Sequence, residues 1–196
     1  MRELGAILLA GGRGSRMGGI RKPLLEVGGR TLLDAAITAA RRAGCDPIVG
    51  VGDPYLAISV AATAIAWVRE DPPFGGPAAA ILAALPLIPA PRTVVLACDL
   101  VHPEDAVAAL RQADSGPDGV CLEDRSGRRQ WLTAIYRTEA LRSAATGLAD
   151  AGAGASAATL LGGLSVATLS PPGGGEDLAF DIDTWDDLTE ARRRNP

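Results

Sequence analysis

The sequence predicts an α/β fold in which helices cover a mostly parallel sheet. Short apolar runs alternate with amphipathic segments over residues 1–115, which is the pattern of consecutive strand–helix–strand units. Several of these runs are continuously apolar, as expected of strands buried on both faces of a parallel sheet. Farther along, a charged turn at 124–129 separates two apolar runs and predicts one antiparallel pair, which would make the sheet mixed.

The strands are predicted from short apolar runs bounded by glycine, proline or charged residues. The run at 4–10 stops at Gly11-Gly12, so it is expected to be a central strand. The run at 93–98 carries the strongest strand signal in the chain. The predicted strands are 4–10, 47–51, 65–68, 93–98, 119–123, 131–136 and 164–169.

Helices are predicted where apolar residues recur with a helical period behind a capping residue or a proline. Thr31 is a suitable N-cap for the first helix, which should end at Gly44. The small-residue loop at 149–156 is interpreted as a linker, and the Pro/Gly segment at 170–175 as a mobile loop. The predicted helices are 31–44, 54–63, 77–88, 103–113 and 138–148, with a C-terminal one from residue 184.

Composition predicts one compact domain over residues 1–196, since 47% of the residues are hydrophobic and 21% are charged. The net charge of -4 provides no basic surface for nucleic acid or for an anionic membrane, which favours small-molecule partners. Three cysteines and one histidine supply neither an even disulfide set nor a Cys/His metal site, so a reducing cytoplasm is expected. No apolar run approaches 18 residues, and no membrane insertion is expected.

The glycine-rich stretch from Leu9 to Gly29 follows the first predicted strand and predicts a phosphate-binding loop. Glycines there let backbone N–H groups approach an anion closely. The spacing fits neither a Walker A loop nor a dinucleotide fingerprint, in which Met17 would have to be glycine. Lys22 is the only lysine of the chain, and its place in this loop indicates a compact charge directed at a phosphate.

The chain resembles the nucleotidyltransferases that activate a phosphorylated acceptor with a nucleoside triphosphate, and among them most closely the molybdenum cofactor guanylyltransferases. Six segments carry the resemblance, in the order in which that family has them: LAGGRGSRMG (9–18), KPLL (22–25), GGRTLL (28–33), EDPPFGGP (70–77), LACDL (96–100) and DIDTWDDL (181–188). The resemblance therefore covers nearly the whole chain.

The resemblance implies a three-layer α/β/α Rossmann-like fold and a Mg²⁺-dependent transfer of GMP from GTP to molybdopterin, with release of pyrophosphate. It divides the domain into a nucleotide-binding half, 1–115, and an acceptor-binding half, 116–196. A cytoplasmic enzyme of this kind would also make transient contacts with other molybdenum cofactor proteins. A cytidylyltransferase on molybdopterin or on another phosphorylated small molecule is the first alternative, and a GTP-binding module without turnover is the second.

The resemblance also implies roles for individual residues. Lys22, Arg16 and Asp99 would be catalytic: Lys22 at the α-phosphate, Arg16 on the outgoing pyrophosphate and Asp99 on the metal. The residues expected to bind the nucleotide are Leu9, Ala10, Gly11, Gly12, Gly14, Ser15, Arg16, Lys22, Asp71, Gly76 and Asp99.

The metal-binding carboxylates can also be argued from their positions in the sequence. Asp99 ends a predicted buried strand, and ligands of open α/β sheets lie at the carboxyl ends of strands, although Asp99 could instead cap the helix at Pro103. Asp181 and Asp183 lie two residues apart, so on an extended segment both side chains point to one face and could meet one cation. The alternative for Asp183 is an N-cap of the last helix.

Two residues depart from the family pattern. Arg21 stands where an acidic residue commonly precedes the lysine, which changes the charge beside the phosphates. Trp131 stands where proline is common, on the side expected to bind the acceptor.

Overall fold

The computed structural model describes residues 3–12, 17–59, 65–170 and 177–195, and a seven-stranded sheet forms its centre. The strands are β1 (Leu4–Leu9), β2 (Glu26–Val27), β3 (Arg30–Thr31), β4 (Ile48–Val51), β5 (Ala66–Val68), β6 (Arg92–Ala97), β7 (Gly119–Glu123), β8 (Arg129–Arg137) and β9 (Val166–Leu169). Their order in the sheet is β5-β4-β1-β6-β8-β7-β9, and β8 alone runs antiparallel to its neighbours. A separate antiparallel hairpin joins β2 to β3.

Helices form a layer on each side of this sheet. They are α1 (Leu32–Arg42), α2 (Pro54–Ser59), α3 (Pro77–Ala84), α4 (Pro103–Gln112), α5 (Thr138–Thr146), α6 (Ala157–Leu161) and α7 (Trp185–Arg194). In β1, Ala6 and Leu8 face a buried cluster that includes α1 and α4, whereas Ile7 faces a cluster that includes α3, α5 and α6. This alternation follows from the two-residue period of a strand.

A third, smaller cluster ties the C-terminal segment to the glycine-rich loop. Its buried members are Met17 of that loop, residues of the hairpin, of α1 and of α7, Val101, and Ile182, which is 0% exposed. Burying one isoleucine side chain is worth about 1.5–3 kcal/mol. The cluster therefore fixes residues 181–183 beside the loop that follows β1.

The predicted α/β class with a mostly parallel, partly mixed sheet is confirmed. Thr31 caps α1, accepting a hydrogen bond of 3.0 Å from the Asp34 amide, and Gly44 follows the helix with a positive φ of 76°. The helix predicted to reach residue 63 is α2, and residues 60–64 lie outside the described residues.

Several local features differ from the prediction. The hairpin β2–β3 lies where a loop was expected, and Gly28 and Gly29 form its turn with φ values of 58° and 73°. Helix α6 is an addition, since no helix was predicted there. Within the loop 149–156, the amide of Gly154 donates a 2.7 Å hydrogen bond to Gly75, so this predicted linker packs against the start of α3. Residues 171–175 of the predicted mobile loop lie outside the described residues.

None of the helices in the described ranges has the length and apolar character required to cross a bilayer.

Candidate active site

The site lies at the carboxyl ends of β1 and β6. Strand β1 has β4 on one side and β6 on the other: the chain passes from β1 outward to β4 and β5, and then returns across the sheet to β6. A crevice opens at such a switch point, and the loops that follow the two strands line it. Here these loops are the glycine-rich loop after Leu9 and the segment from Cys98 to Leu100.

The ammonium group of Lys22 lies between two carboxylates. Lys22 begins a single 3₁₀ turn, Lys22–Leu24, which the buried side chain of Pro23 anchors. The Nζ atom donates a 2.6 Å hydrogen bond to Asp183 Oδ1 and lies 3.8 Å from Asp99 Oδ2. Only 17% of the Lys22 side chain is exposed. The ammonium is therefore held in place and largely shielded from water.

Asp99, Asp181 and Asp183 converge on one point. Residues 99–101 and 180–182 run antiparallel: the Ile182 amide donates to the Asp99 carbonyl at 3.0 Å, and the Val101 amide donates to the Phe180 carbonyl at 2.9 Å. One carboxylate oxygen from each of the three aspartates lies within 4.8 Å of the other two. The buried side chain of Ile182 points away from them, as the two-residue period of an extended segment requires.

The electrostatics of this cluster favour the binding of a further cation. Burial raises the pKa of Asp99, and the charge of Lys22 opposes that rise. Loss of hydration raises the pKa of Asp181 to about 6, and repulsion from Asp99 and Asp183 adds to it, although Asp181 is the exposed member of the three. Within the part of the chain that the structure describes, the three carboxylates thus outnumber the Lys22 ammonium that they share.

The donor set fits Mg²⁺. This ion takes oxygen ligands at about 2.0–2.1 Å in octahedral geometry, so two oxygens on one ion are about 3–4 Å apart. Carboxylate oxygens within 4.8 Å of one another need only small movements to meet that requirement. Mg²⁺ is commonly held by one or two carboxylates together with substrate phosphates.

Other residues fill the helix-capping positions that were alternatives for these aspartates. His102, not Asp99, occupies the N-cap position of α4. Thr184 caps α7: its hydroxyl accepts from the Asp187 amide at 3.2 Å, and the Asp187 carboxylate accepts from the Thr184 amide at 2.7 Å. Asp183 therefore does not cap α7, and its carboxylate accepts a hydrogen bond from Lys22.

Two neighbouring cavities lie beside the glycine-rich loop, and Asp99 lines the smaller one. The larger, of about 730 Å³, lies between the glycine-rich loop, the segment after β4 and residues 69–74. The smaller, of about 370 Å³, lies between that loop, the start of α3 and Asp99. Gly11, Gly12, Glu70 and Phe74 line both cavities. Their volumes lie in the range of pockets that hold small ligands.

Most of the described residues that were expected to bind a nucleotide lie on these walls. Leu9, Gly76 and Asp99 line the smaller cavity and Ala10 the larger. Asp71 is exposed and lines neither cavity, whereas its neighbour Glu70 lines both. The predictions for Gly14, Ser15 and Arg16 concern residues outside the described ranges.

Sequence reasoning missed Glu70 and the group formed by Arg21, Asp53 and Tyr55. Glu70 is buried, and its carboxylate accepts a 3.1 Å hydrogen bond from the Phe74 amide. The Arg21 guanidinium lies 3.2 Å from Asp53 and 4.6 Å from the centre of the Tyr55 ring, on the wall of the larger cavity. Asp53 and Glu70 each lie two residues past a parallel strand, so the strand-end rule that selected Asp99 would also have found them.

Trp131 lies elsewhere in β8. Its ring is partly buried beside the helices α3, α5 and α6, and the Arg129 guanidinium lies 5.3 Å from the ring centre. The neighbouring residue Leu132 lines the smaller cavity. The C-terminal half of the chain thus contributes an apolar side chain to the wall of the smaller cavity.

Residues 6–163 match the model of the MobA-like NTP transferase domain. A molybdenum cofactor guanylyltransferase from Bradyrhizobium sp. (strain ORS 278) is 40% identical over 121 residues, which is 57% of this chain and 55% of that protein. One from Methylibium petroleiphilum is 36% identical over 117 residues, with the same two coverages. The matched chain spans about half the length of these curated relatives.

Solved structures share the fold over almost the entire chain. A nucleotidyl transferase from Methanothermobacter thermautotroptrophicus superposes with a TM-score of 0.73 at 21% identity, covering 98% of this chain and 97% of that one. Molybdopterin-guanine dinucleotide biosynthesis protein A from Archaeoglobus fulgidus gives a TM-score of 0.64 at 21% identity, with coverages of 96% and 97%. The fold, the arrangement of the site and the match over residues 6–163 lead to one conclusion: this chain belongs to the MobA-like NTP transferase domain family.

Proposed function

We propose that this protein is a Mg²⁺-dependent guanylyltransferase that transfers GMP from GTP to the terminal phosphate of molybdopterin. An oxygen of the acceptor phosphate attacks the α-phosphorus of GTP in line and forms a new P–O bond. The bond between the α-phosphorus and the bridging oxygen breaks, and pyrophosphate leaves with that electron pair. No covalent enzyme intermediate is needed, since positioning and charge stabilisation suffice for such transfers.

One observation carries this proposal: the single lysine of the chain meets three carboxylates at the carboxyl ends of β1 and β6. Lys22 lies within 3.8 Å of both Asp99 and Asp183, and Asp99 lines the smaller cavity. A triphosphate brings several negative charges, and this cluster combines a fixed ammonium with a donor set for a divalent cation. Membership of a family of nucleotidyltransferases supports the same function.

The residues of the cluster take different roles in this proposal. Asp99 and Asp183 would hold Mg²⁺, with support from Asp181. The ion would supply positive charge to the phosphate oxygens of the nucleotide. Lys22 would stabilise the charge that develops around the α-phosphate, since an ammonium is a compact point charge. Lys22 can turn from Asp183 to a phosphate because its long side chain has several rotatable bonds.

The two halves of the chain would divide the substrates. The backbone of Leu9 to Gly12, with Gly14, Ser15, Asp71 and Gly76, would bind the nucleotide, and Arg16 would hold the outgoing pyrophosphate. Residues 116–196 would bind the acceptor. The enzyme would act in the cytoplasm and would contact other molybdenum cofactor proteins transiently.

The test is release of pyrophosphate. The full-length protein is incubated with Mg²⁺, reduced molybdopterin and each nucleoside triphosphate in turn. A guanylyltransferase releases pyrophosphate with GTP far faster than with the others, and the Asp99→Asn variant serves as the matched inactive control. Faster release with CTP would show a cytidylyltransferase, and a thermal shift with GTP but no release would show a binding module. Either result would overturn the proposal.

A further inference from the structure

A third cavity, of about 730 Å³, lies at the opposite edge of the sheet, where the parallel strands begin. We call it the amino-edge cavity. Arg92 of β6, Arg137 at the end of β8, and Glu139 and Arg142 of α5 contribute its charged side chains. Strand β6 runs from Arg92 here to Ala97 beside the candidate active site, a length of about 17 Å. The two sites are therefore separate.

Two of its arginines stand directly opposite each other on neighbouring strands. Arg92 and Arg137 are register partners in the antiparallel pair of β6 and β8, so their side chains leave the sheet on the same face. Like charges in such positions destabilise a sheet. The two guanidinium groups therefore lower the stability of the sheet locally, and such a loss of stability is typical of functional positions.

The protein satisfies these guanidinium groups only in part. Arg92 Nη2 donates to the hydroxyl of Ser115 at 2.9 Å, a neutral acceptor. Arg142 Nη2 donates to the Ile88 carbonyl at 2.8 Å, and its Nη1 lies 3.5 Å from Glu139. Within the described residues, no carboxylate lies within ion-pair distance of Arg137, whose side chain is exposed. The wall of the amino-edge cavity thus carries three arginines and one acidic side chain, Glu139.

The rest of the wall fits an organic anion. Helix α5 begins at Thr138 on this wall, and no side chain caps its first turn, so the positive end of the helix adds to the arginines. Pro89, Pro91 and Pro117 supply apolar surface beside the charges. A phosphate ester carries about -1.5 to -2 charges and three acceptor oxygens, which matches several guanidinium groups better than one carboxylate would.

We propose that the amino-edge cavity binds a small phosphorylated molecule, with its phosphate group between Arg92, Arg137 and Arg142. The volume exceeds that of a phosphate several times over, so the remaining space and the proline surface take the organic part of the ligand. This inference does not depend on the proposed function, because none of these residues belongs to the site at the carboxyl ends of the strands.

The test is a titration of the ¹⁵N-labelled full-length protein with ribose 5-phosphate, in the presence of EDTA and at low ionic strength. We expect saturable shifts of the amide signals of Gly116, Gly119 and Thr138, which lie on the cavity wall. Arg137→Gln should weaken the affinity about tenfold or more, because it removes a charge-assisted hydrogen bond. Arg92→Gln should weaken it similarly and provides a second variant should the first fail to fold.

Three controls show whether binding is specific to the amino-edge cavity and to phosphate. Arg41→Gln removes an exposed arginine of α1 and should leave the affinity unchanged. Lys22→Ala should also leave it unchanged, because Lys22 lies at the other edge of the sheet. Succinate should bind at least tenfold more weakly than ribose 5-phosphate, because each of its carboxylates carries less charge than a phosphate.

Several results would overturn the proposal. One is the absence of saturable shifts at the three amides, and another is an equal loss of affinity in Arg41→Gln and Arg137→Gln. Loss in Lys22→Ala alone would assign the anion to the glycine-rich loop. Equal binding of succinate would exclude phosphate recognition. Binding of an acidic peptide in place of ribose 5-phosphate would show that the surface receives a protein partner.

Discussion

The Lys22 ammonium hydrogen-bonds Asp183 at 2.6 Å, although 161 residues separate the two in the chain. The same ammonium lies 3.8 Å from Asp99. It therefore joins the loop after β1, the loop after β6 and the segment before α7. The three carboxylates thus share the positive charge of Lys22.

Replacing Lys22 by alanine should strongly reduce turnover. A unit charge about 4 Å from a phosphate is worth about 4 kcal/mol at an effective dielectric constant near 20. Because each ~1.4 kcal/mol changes a rate tenfold, the loss should be on the order of a hundredfold or more. Steady-state release of pyrophosphate measures it, and circular dichroism checks that the fold is kept. An unchanged rate would exclude Lys22 from the mechanism.

The matched variant Lys22→Arg tests the need for a compact charge. The planar guanidinium keeps the charge but needs more room between Asp99 and Asp183, so turnover should also fall. Full activity of this variant would contradict the inference drawn from the rarity of lysine in the sequence.

The Asp99→Asn variant should lose Mg²⁺ affinity and turnover while its melting temperature stays nearly unchanged. The ionised Asp99 carboxylate lowers the stability of the folded state, because burial raises the pKa of Asp99. Asparagine removes the charge with little change of shape, so stability should not fall. Calorimetric titration with Mg²⁺ and a thermal melt together measure both effects. A lower melting temperature with normal Mg²⁺ binding would instead indicate a structural role.

Asp183 and Thr184 are neighbours with different tasks, and paired variants can separate them. Thr184→Ala should cost about 1 kcal/mol of folding free energy, because it removes the cap of α7, and should keep Mg²⁺ affinity. Asp183→Asn should keep the cap and lose Mg²⁺ affinity and turnover. Urea denaturation and Mg²⁺ titration of both variants provide the comparison. Full turnover of Asp183→Asn would mean that another group completes the site.

The carboxylate cluster should make stability depend on pH. The pKa of Asp181 rises from its ordinary value of 3.8 to about 6 in the folded protein, so between these values the folded state binds more protons than the unfolded state. The contribution of Asp181 to the stability of the metal-free protein should therefore decrease as pH rises through this window and level off above it. Thermal melts across the window, with EDTA present, measure this trend.

Mg²⁺ should reverse that trend, because it binds the deprotonated carboxylates. The rise in melting temperature on adding Mg²⁺ should be larger at about pH 7.5 than at about pH 5. Asp181→Asn should reduce the pH dependence of both measurements. If the Asp181→Asn variant had the same pH profile as the unaltered protein, Asp181 would not be a source of the pH dependence.

Local sequence signals predicted much of the fold. Thr31 and Gly44 mark the ends of α1 because capping and helix termination depend on neighbouring residues. The hairpin β2–β3 was missed because each of its strands has two residues, too few for a period to show, although the Gly28-Gly29 turn was a usable signal. The order of the strands needed the structure, since pairing joins segments that are distant in the chain.

In the candidate site, too, local features could be predicted from the sequence, whereas contacts between distant segments could not. Asp99 could be predicted because its place at a strand end is a local property, and Lys22 because its residue type is rare in this chain. The pairing of Arg21 with Asp53 could not, since it depends on which loops the sheet brings together. The opposition of Arg92 and Arg137 likewise depends on the register of β6 and β8, which no single segment encodes.

The small cluster that includes Met17 and Ile182 also determines when the three carboxylates can come together. Asp181 and Asp183 come after every described strand of the sheet in the chain, and they reach Asp99 only when Ile182 is buried against the rest of the domain. Until Ile182 and α7 dock, Lys22 has Asp99 as the only one of the three within reach. Assembly of the carboxylate cluster is thus coupled to the docking of this segment, and a substitution that loosens the packing of Ile182 would disperse the cluster without altering any of its carboxylates.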